Sequence, residues 1–549
     1  MADNRLTLSC LVDGESTSNA FPIEIESTKT IGDLKKLIKA KKTPEYDDIA
    51  VGRLTLWRVS IPDDNQGSAI TIDALDDKTE LDSPRTRLFK LFLESPDDNT
   101  IILVQRPRPA PKREHEEDMA PPPKKTRRGT NTLMGAIEEA GLTQKATVNG
   151  QVALSRLDNK ERVSVLGFLG SSVHGDDSYV SLSRIAFALR NSSFQEKKIL
   201  STPRGSGTLF PVINTENLYV RQAYKDLYDE IDKQFNSTVN DNAQKHVVVT
   251  GTSDIGKSAF LVYFTIRLLA TSSDDNPSIV IFQERRGSVC YIYGGPSTLR
   301  YGDIEDFRPF LDLPETWYLV DSSPNPLLER AKTIISVSPK TLYTGMNQYQ
   351  EVDKRVPWRY YMAPWTLEEL KRCRSAVEGF KVVPEDLMEE LYRIIGGVPR
   401  FVLETPMKVL NLGPGDTTGA KKSACARVLQ AIDLVRAPLR LMQCFEQGEE
   451  SPWYSSHLLH RWPTEDHKDF CLEWASAYIA DKIGESLQDV TRQQILEKLA
   501  GVNVGTAKRP MFELYVRHIF RKGSYEFQTK KLQDGTNITF KVPAKPSVE

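Results

Sequence analysis

One stretch of the chain has residue types and spacing that could do chemistry. An apolar run from His246 to Thr250 ends in Gly251–Thr252–Ser253–Asp254–Ile255–Gly256–Lys257–Ser258. The chain then continues apolar at Phe260, Leu261, Phe264, Leu268 and Leu269. This is the G-x-x-x-x-G-K-[ST] spacing, set between a buried strand and a helix. Gly251 and Gly256 let the backbone curl so that N–H groups point inward at a polyphosphate. The helix opening at Lys257 adds the positive end of its dipole. Lys257 is expected to hold the β- and γ-phosphates, and the Ser258 hydroxyl to take Mg²⁺. The competing reading is a glycine-rich turn with a solvated lysine.

A bound metal needs a carboxylate near Ser258. The run Thr316 to Val320 is apolar and closes on Asp321, which is assigned as the acid that anchors Mg²⁺ or its water. Ser322 follows it, where many additional-strand NTPases carry a glutamate that activates the attacking water. The base must then come from elsewhere, Glu284 being one candidate, or the site mainly binds. Ser338, at the end of another apolar run, is a candidate γ-phosphate sensor. ATP is preferred over GTP because no N-K-x-D base-reading motif occurs. Strands alternating with helices imply a parallel sheet covered on both faces.

The whole chain sets the bounds. Its 549 residues suffice for three or four domains, and a net charge of −2 excludes a uniformly basic nucleic-acid binder. The six cysteines are scattered without a C-x-x-C pair, so neither a zinc knuckle nor a disulfide framework is indicated. No run approaches the ~18 apolar residues of a membrane span, and no membrane partner is expected. The N-terminus does not read as a conventional signal peptide. His457, His460 and His467 lack the pattern of a metal site.

Before the phosphate-loop region, Leu6 to Val12 and Phe21 to Ile25 read as a hairpin, Thr30 caps a helix with Ile31, Leu34, Leu37 and Ile38 on one face, and Leu54 to Val59 and Ile101 to Gln105 are further strands. That order is a ubiquitin-like roll. The runs Leu6 to Glu15, Asp33 to Lys39, Leu54 to Pro62 and Ile102 to Pro107 resemble the N-terminal domain of the Crinkler effectors, modular proteins of oomycetes and some fungi that act inside host cells. Leu54–Thr55–Leu56–Trp57–Arg58 stands where the oomycete branch has its LFLAK signature, which is more similar to the fungal branch. The resemblance implies secretion, translocation into a host cell and action in the host nucleus. It also extends to Leu218–Tyr228, Tyr361–Leu370 and Gly396–Phe401, which resemble the segment before the phosphate loop and the helical lid of Crinklers and retrotransposon hot-spot proteins. In that lid an arginine can face the nucleotide, which implies Arg400. Arg221 and Lys225, four apart on one helix face, read mainly as solvated surface.

The fold class expected is multidomain α/β: a ubiquitin-like β-grasp domain at 1–105, a Pro-rich basic linker at 106–130, a small helical segment at 131–205, an additional-strand P-loop NTPase at 206–405, a helical lid region at 406–505 and an incomplete nuclease-like start at 506–549. The linker cluster Lys124–Lys125–Thr126–Arg127–Arg128 reads as a nuclear import signal. Phe512 to Phe520 resembles the opening helix of nuclease-bearing Crinklers, but Glu513 lacks partner acids, so no nuclease activity is expected. The site set is Lys257 and Asp321 for catalysis, Gly251 to Ser258 with Arg400 for ATP, and Ser258 with Asp321 for Mg²⁺. Host nuclear proteins are the expected partners, with DNA and self-association as further candidates. Two alternatives stay open: a non-enzymatic scaffold with a degenerate NTPase, and a DNA-acting nuclear factor.

Overall fold

The computed structural model describes residues 5–26, 28–42, 54–60, 78–81, 88, 100–105, 132–148, 151–173, 177–190, 197–203, 207–237, 246–285, 289–322, 326–338, 352, 354–445, 454–485, 494–495, 497, 499, 507–522, 526–530 and 536–541. The chain divides into two compact units, Met1–Lys124 and Lys125–Glu549. The 106–130 linker and its basic cluster lie outside the described residues.

In the first unit, alternation of apolar residues builds the strands. β1 (Arg5–Val12) turns Leu6, Leu8, Cys10 and Val12 toward one core. β2 (Phe21–Glu26) adds Ile23 and Ile25, and α1 (Ile31–Lys41) adds Ile31, Leu34 and Ile38. Thr30 and Asp33 form a reciprocal capping box that starts α1. Lys35 on α1 is buried as well. β3 (Thr55–Ser60), β4 (Lys78–Glu80) and β5 (Thr100–Gln105) complete a sheet of order β2-β1-β5-β3-β4. β1 and β5 run parallel at its centre, and the outer pairs are antiparallel. This is the β-grasp roll that the sequence pattern implies.

The second unit begins with α2 (Leu133–Glu139), α3 (Thr143–Ala146), the short pair β6 (Thr147–Val148) and β7 (Gln151–Val152), and α4 (Asn159–Leu166). β8 (Ser171–Ser172) and α5 (Ser178–Leu189) follow, then β9 (Ile199–Ser201), β10 (Asn217–Tyr219) and α6 (Gln222–Ser237). The segment 131–205 is therefore not purely helical. Arg300 donates to the carbonyls of Leu169 and Gly170 and to Ser172 Oγ, and β8 pairs with the strand that carries Arg300.

The central sheet is built from β11 (His246–Gly251), β12 (Ile279–Gln283), β13 (Val289–Gly294), β14 (Thr298–Asp303), β15 (Trp317–Asp321), β16 (Lys332–Ser336) and β17 (Trp358–Met362), with β8 at one edge. Its order is β17-β11-β16-β15-β12-β13-β14-β8. The first five run parallel, and β16 is inserted between β11 and β15, which is the additional-strand arrangement. The sheet as a whole is mixed, not parallel: β13, β14 and β8 continue it antiparallel. The link from Gln283 to Val289 is too short for a parallel crossover, so the chain must turn back as a hairpin. α7 (Lys257–Thr271) is apolar around nearly its whole circumference and sits buried against the sheet.

Helices Leu367–Ala376, Glu385–Ile395, Thr405–Leu412 and Thr417–Leu434 follow the sheet. The helical expectation for 406–505 needs one correction. β18 (Leu459–Pro463) and β19 (Phe470–Trp474) form an antiparallel hairpin. Pro463 cannot continue a helix, and Thr464 ties the turn by bonding Asp466 and Asp469. Beyond it lie helix Lys508–Lys522 and a second hairpin, β20 (Glu526–Lys530) with β21 (Asn537–Lys541).

Candidate functional site

β11 is buried along its length and delivers the chain into the glycine-rich loop at the end of the sheet. Gly251 has φ +138°, and a Cβ there would stand 2.7 Å from the Met362 carbonyl on β17. Gly256 has φ +100°, and a Cβ there would strike the Tyr224 hydroxyl. Both glycines are thus required by close approach as well as by φ. The loop is held from behind by three groups. Trp365 Nε1 donates to the Ile255 carbonyl at 2.8 Å, Arg221 Nη1 donates to the same carbonyl at 3.3 Å, and the Tyr224 hydroxyl donates to the Gly256 carbonyl at 2.9 Å.

Lys257 and Ser258 open α7. Lys257 Nζ folds back along the loop and donates to the carbonyls of Gly251 at 3.1 Å and Thr252 at 2.7 Å. Burial lowers its pKa to about 8, against the pull of Asp254. Ser258 Oγ donates to Asp321 Oδ1 at 2.8 Å. Asp321 is 5% exposed; burial raises its pKa and the Ser258 hydrogen bond opposes that rise. The hydroxyl and the carboxylate proposed for Mg²⁺ therefore share one spot beside the helix start. A hydroxyl, a carboxylate and a lysine within a curl of backbone N–H groups form a donor set that suits a metal-bound polyphosphate.

Ser322 does not supply a base. Its φ is +51°, and both its N–H and its Oγ donate to the Ser336 carbonyl, at 2.9 and 2.8 Å. Glu284 stands one residue past β12, whose Gln283 pairs with Val320, so it falls beside Asp321. Tyr179 holds it there with a 2.7 Å hydrogen bond from its hydroxyl to Oε1. The negative charge of Glu284 contributes to the raised pKa of Asp321. Ser338 lies half-buried beyond β16, where Val337 N–H continues the pairing to the Val249 carbonyl at 3.1 Å.

Arg400 opens a wide helical turn, Arg400–Glu404, after the tight Gly396–Gly397 corner. Its Nη1 lies 2.5 Å from Asp254 Oδ1, so this turn reaches the 251–258 loop. Burial pushes the nearby Glu404 carboxyl upward.

Two arginines have roles that local sequence reading misses. Arg221, expected on the surface, is 1% exposed. It pairs with Glu369 at 2.8 Å, donates to the carbonyls of Ala363 and Pro364, and lies over the Trp365 ring. Its signal is its place just before a helix that buries Tyr224, Leu227, Tyr228 and Ile231. Arg461 on β18 donates its backbone N–H to Thr252 Oγ1 at 3.0 Å. No local pattern marks a contact that spans 209 positions. Of the three histidines, His460 is buried and its pKa falls to about 3, and His467 Nδ1 lies 3.1 Å from the Tyr361 carbonyl.

Residues 6–105, the span of the β-grasp unit, match the Crinkler effector protein N-terminal domain. The chain carries a Crinkler effector N-terminal domain. Crinkler effector protein 1 of Rhizophagus irregularis is 37% identical over 103 residues, 19% of this chain and 22% of that one. Crinkler effector protein 15 of Phytophthora infestans is 24% identical over 419 residues, 72% of this chain and 59% of that one. The chain thus spans about a fifth and about three fifths of the two relatives' lengths. Among solved structures, the RuvB Holliday junction branch migration motor of Thermotoga maritima is similar at a TM-score of 0.23 and 11% identity, covering 56% of this chain and 90% of that one. Among the described residues, no helix is long and apolar enough to cross a membrane.

Proposed function

We propose that this protein is a Crinkler-type, host-directed effector whose second unit binds ATP with Mg²⁺ as a P-loop NTPase and changes conformation with nucleotide occupancy. The observation that carries the reading is the Ser258–Asp321 hydrogen bond beside the curled 251–256 loop. The loop N–H groups hold the phosphates, and Lys257, resting on the carbonyls of Gly251 and Thr252, turns its remaining ammonium donor to the β- and γ-phosphates. Ser258 and Asp321 hold Mg²⁺, which would neutralise charge on the phosphate oxygens. Arg400 adds a cation from the lid. Glu284, oriented by Tyr179, accepts a proton from the attacking water.

Delivery to the host nucleus is part of the proposal, motivated by the similarity to Crinkler effectors and the basic run Lys124 to Arg128. Nuclear proteins are the partners it implies. Unchanged nuclear fluorescence after removal of those residues would remove that part.

Phosphate release by the purified chain tests the catalytic reading. Wild type is expected to release phosphate from Mg·ATP, Lys257→Ala to lose release and binding, and Glu284→Gln to keep binding but lose release. A second reading, a module that binds ATP without cleaving it, is favoured by the engagement of Ser322 with Ser336. Mg·ATP binding by wild type with no phosphate release, with or without duplex DNA, would select it.

A further inference from the structure

The β18–β19 hairpin reaches the phosphate loop from the far end of the sequence, and it is fixed where it touches. At its turn, Tyr361 N–H donates to the His467 carbonyl at 2.7 Å, and the Tyr361 and Phe470 rings lie 4.6 Å apart. At its base, Ala475 N–H donates to the Leu458 carbonyl, and Trp474 Nε1 donates to the Pro510 carbonyl at 2.9 Å. Gly396, at the corner that leads to Arg400, packs so closely that a Cβ there would strike the Ala475 carbonyl and lie 2.8 Å from the His460 ring. The hairpin is therefore wedged between β17, the lid corner and the loop. It has little freedom to place Arg461 elsewhere.

Arg461 is 7% exposed, with its guanidinium 5.4 Å from the Phe470 ring centroid. Its backbone fixes Thr252, the second residue of the loop. Thr252 is also where the tip of Lys257 rests, since Nζ donates to its carbonyl. The lysine is rooted in the helix and ends at Thr252. A polyphosphate that takes this lysine along its β and γ groups must end near that tip. Arg400, Arg461, Asp254 and Asp321 all act electrostatically on the Lys257 ammonium. One of those two acids, Asp254, is already engaged by Arg400.

We propose that Arg461 contacts the terminal phosphate of a bound nucleoside triphosphate, so that the β18–β19 hairpin distinguishes triphosphate from diphosphate within one chain. The proposal rests on the nucleotide-binding reading above. A planar guanidinium is suited to phosphate oxygens by charge and by its paired donors. Loss of the terminal phosphate removes the hairpin's contact with the ligand while leaving the Thr252 anchor in place. The helices that follow the hairpin, Ala477–Glu485 and Lys508–Lys522, are then coupled to the state of the nucleotide through β19.

The test measures binding of the non-hydrolysable analogue AMP-PNP and of ADP, each with Mg²⁺, to the full chain. Arg461→Gln is expected to weaken AMP-PNP roughly tenfold or more and to leave ADP affinity nearly unchanged. Arg461→Lys, which keeps the charge without the fork, should fall between. Wild-type affinity for AMP-PNP in Arg461→Gln, or an equal loss for both nucleotides at an unchanged melting temperature, would overturn the proposal. If Arg461→Gln does not fold, Arg461→Lys decides alone: a selective loss for AMP-PNP supports the assignment, and wild-type selectivity refutes it. Failure of wild type to bind either nucleotide would instead defeat the underlying reading, which separates the two.

Discussion

Ser258 and Asp321 lie 63 positions apart in sequence and meet at 2.8 Å, hydroxyl to carboxylate, where α7 starts and β15 ends. The meeting follows from topology, because β16 alone separates the two parent strands in a parallel sheet whose strand ends converge on one edge.

Asp321→Asn keeps the size and removes the charge. It is expected to weaken the Mg²⁺ affinity of the nucleotide complex about ten- to hundredfold. It should not lower the melting temperature, because burial already disfavours the carboxylate. Titration of Mg²⁺ into the nucleotide-bound chain, with a thermal melt alongside, measures both effects.

Lys257 sets a pH dependence. Without ligand, burial lowers its pKa to about 8, well below the ordinary lysine value of 10.5. A bound phosphate demands the ammonium and raises that value, so binding above pH 8 must take up a proton. ATP affinity should fall as pH rises above 8, by up to about tenfold per pH unit. The stability sign is opposite. The unfolded chain holds this proton up to the higher pKa, so this group's contribution to stability rises from pH 8 toward 10.5. Calorimetry in two buffers of different ionisation enthalpy would reveal the proton uptake.

Arg221 is a buried ion whose partner, Glu369, is also largely buried. Arg221→Met leaves that carboxylate without its ion-pair partner and removes a donor from the Ile255, Ala363 and Pro364 carbonyls. A loss of about 3–5 kcal/mol is expected from breaking such a pair by removing one member. Chemical denaturation of the chain checks it. A loss below ~1 kcal/mol would mean that the hub does not hold the loop.

Gly256→Ala places a Cβ against the Tyr224 hydroxyl in a left-handed conformation. The conformation alone costs about 1–2 kcal/mol. Adding Tyr224→Phe should recover only the part of the loss due to the clash, and a melting series of the single and double variants separates the two.

Much of this is legible in the sequence because it is written locally. Glycine spacing, an apolar strand before it and an apolar helix after it mark the curled 251–258 loop. The same holds for Asp321, which closes a short apolar run, and for the alternating strands of the β-grasp domain. What is not legible depends on distance along the chain. Arg221 looks like a surface residue until Glu369 is folded against it, and the contact between Arg461 and Thr252 joins segments that no local pattern connects. The antiparallel extension β13–β14–β8 is hidden for another reason: periodicity gives strands but not their direction, and only the short link after Gln283 forces the reversal. The β18–β19 hairpin is masked by a run of aromatic and aliphatic residues that suits a helix as well as a strand.

The central claim is a nucleotide cradle at residues 251–258. Equilibrium binding of Mg·AMP-PNP to the full chain, wild type against Lys257→Ala at pH 7, tests it most directly. The account predicts saturable binding by wild type and its loss in the variant with the fold intact. Equal binding by both, or none by a well-folded wild type, would contradict it.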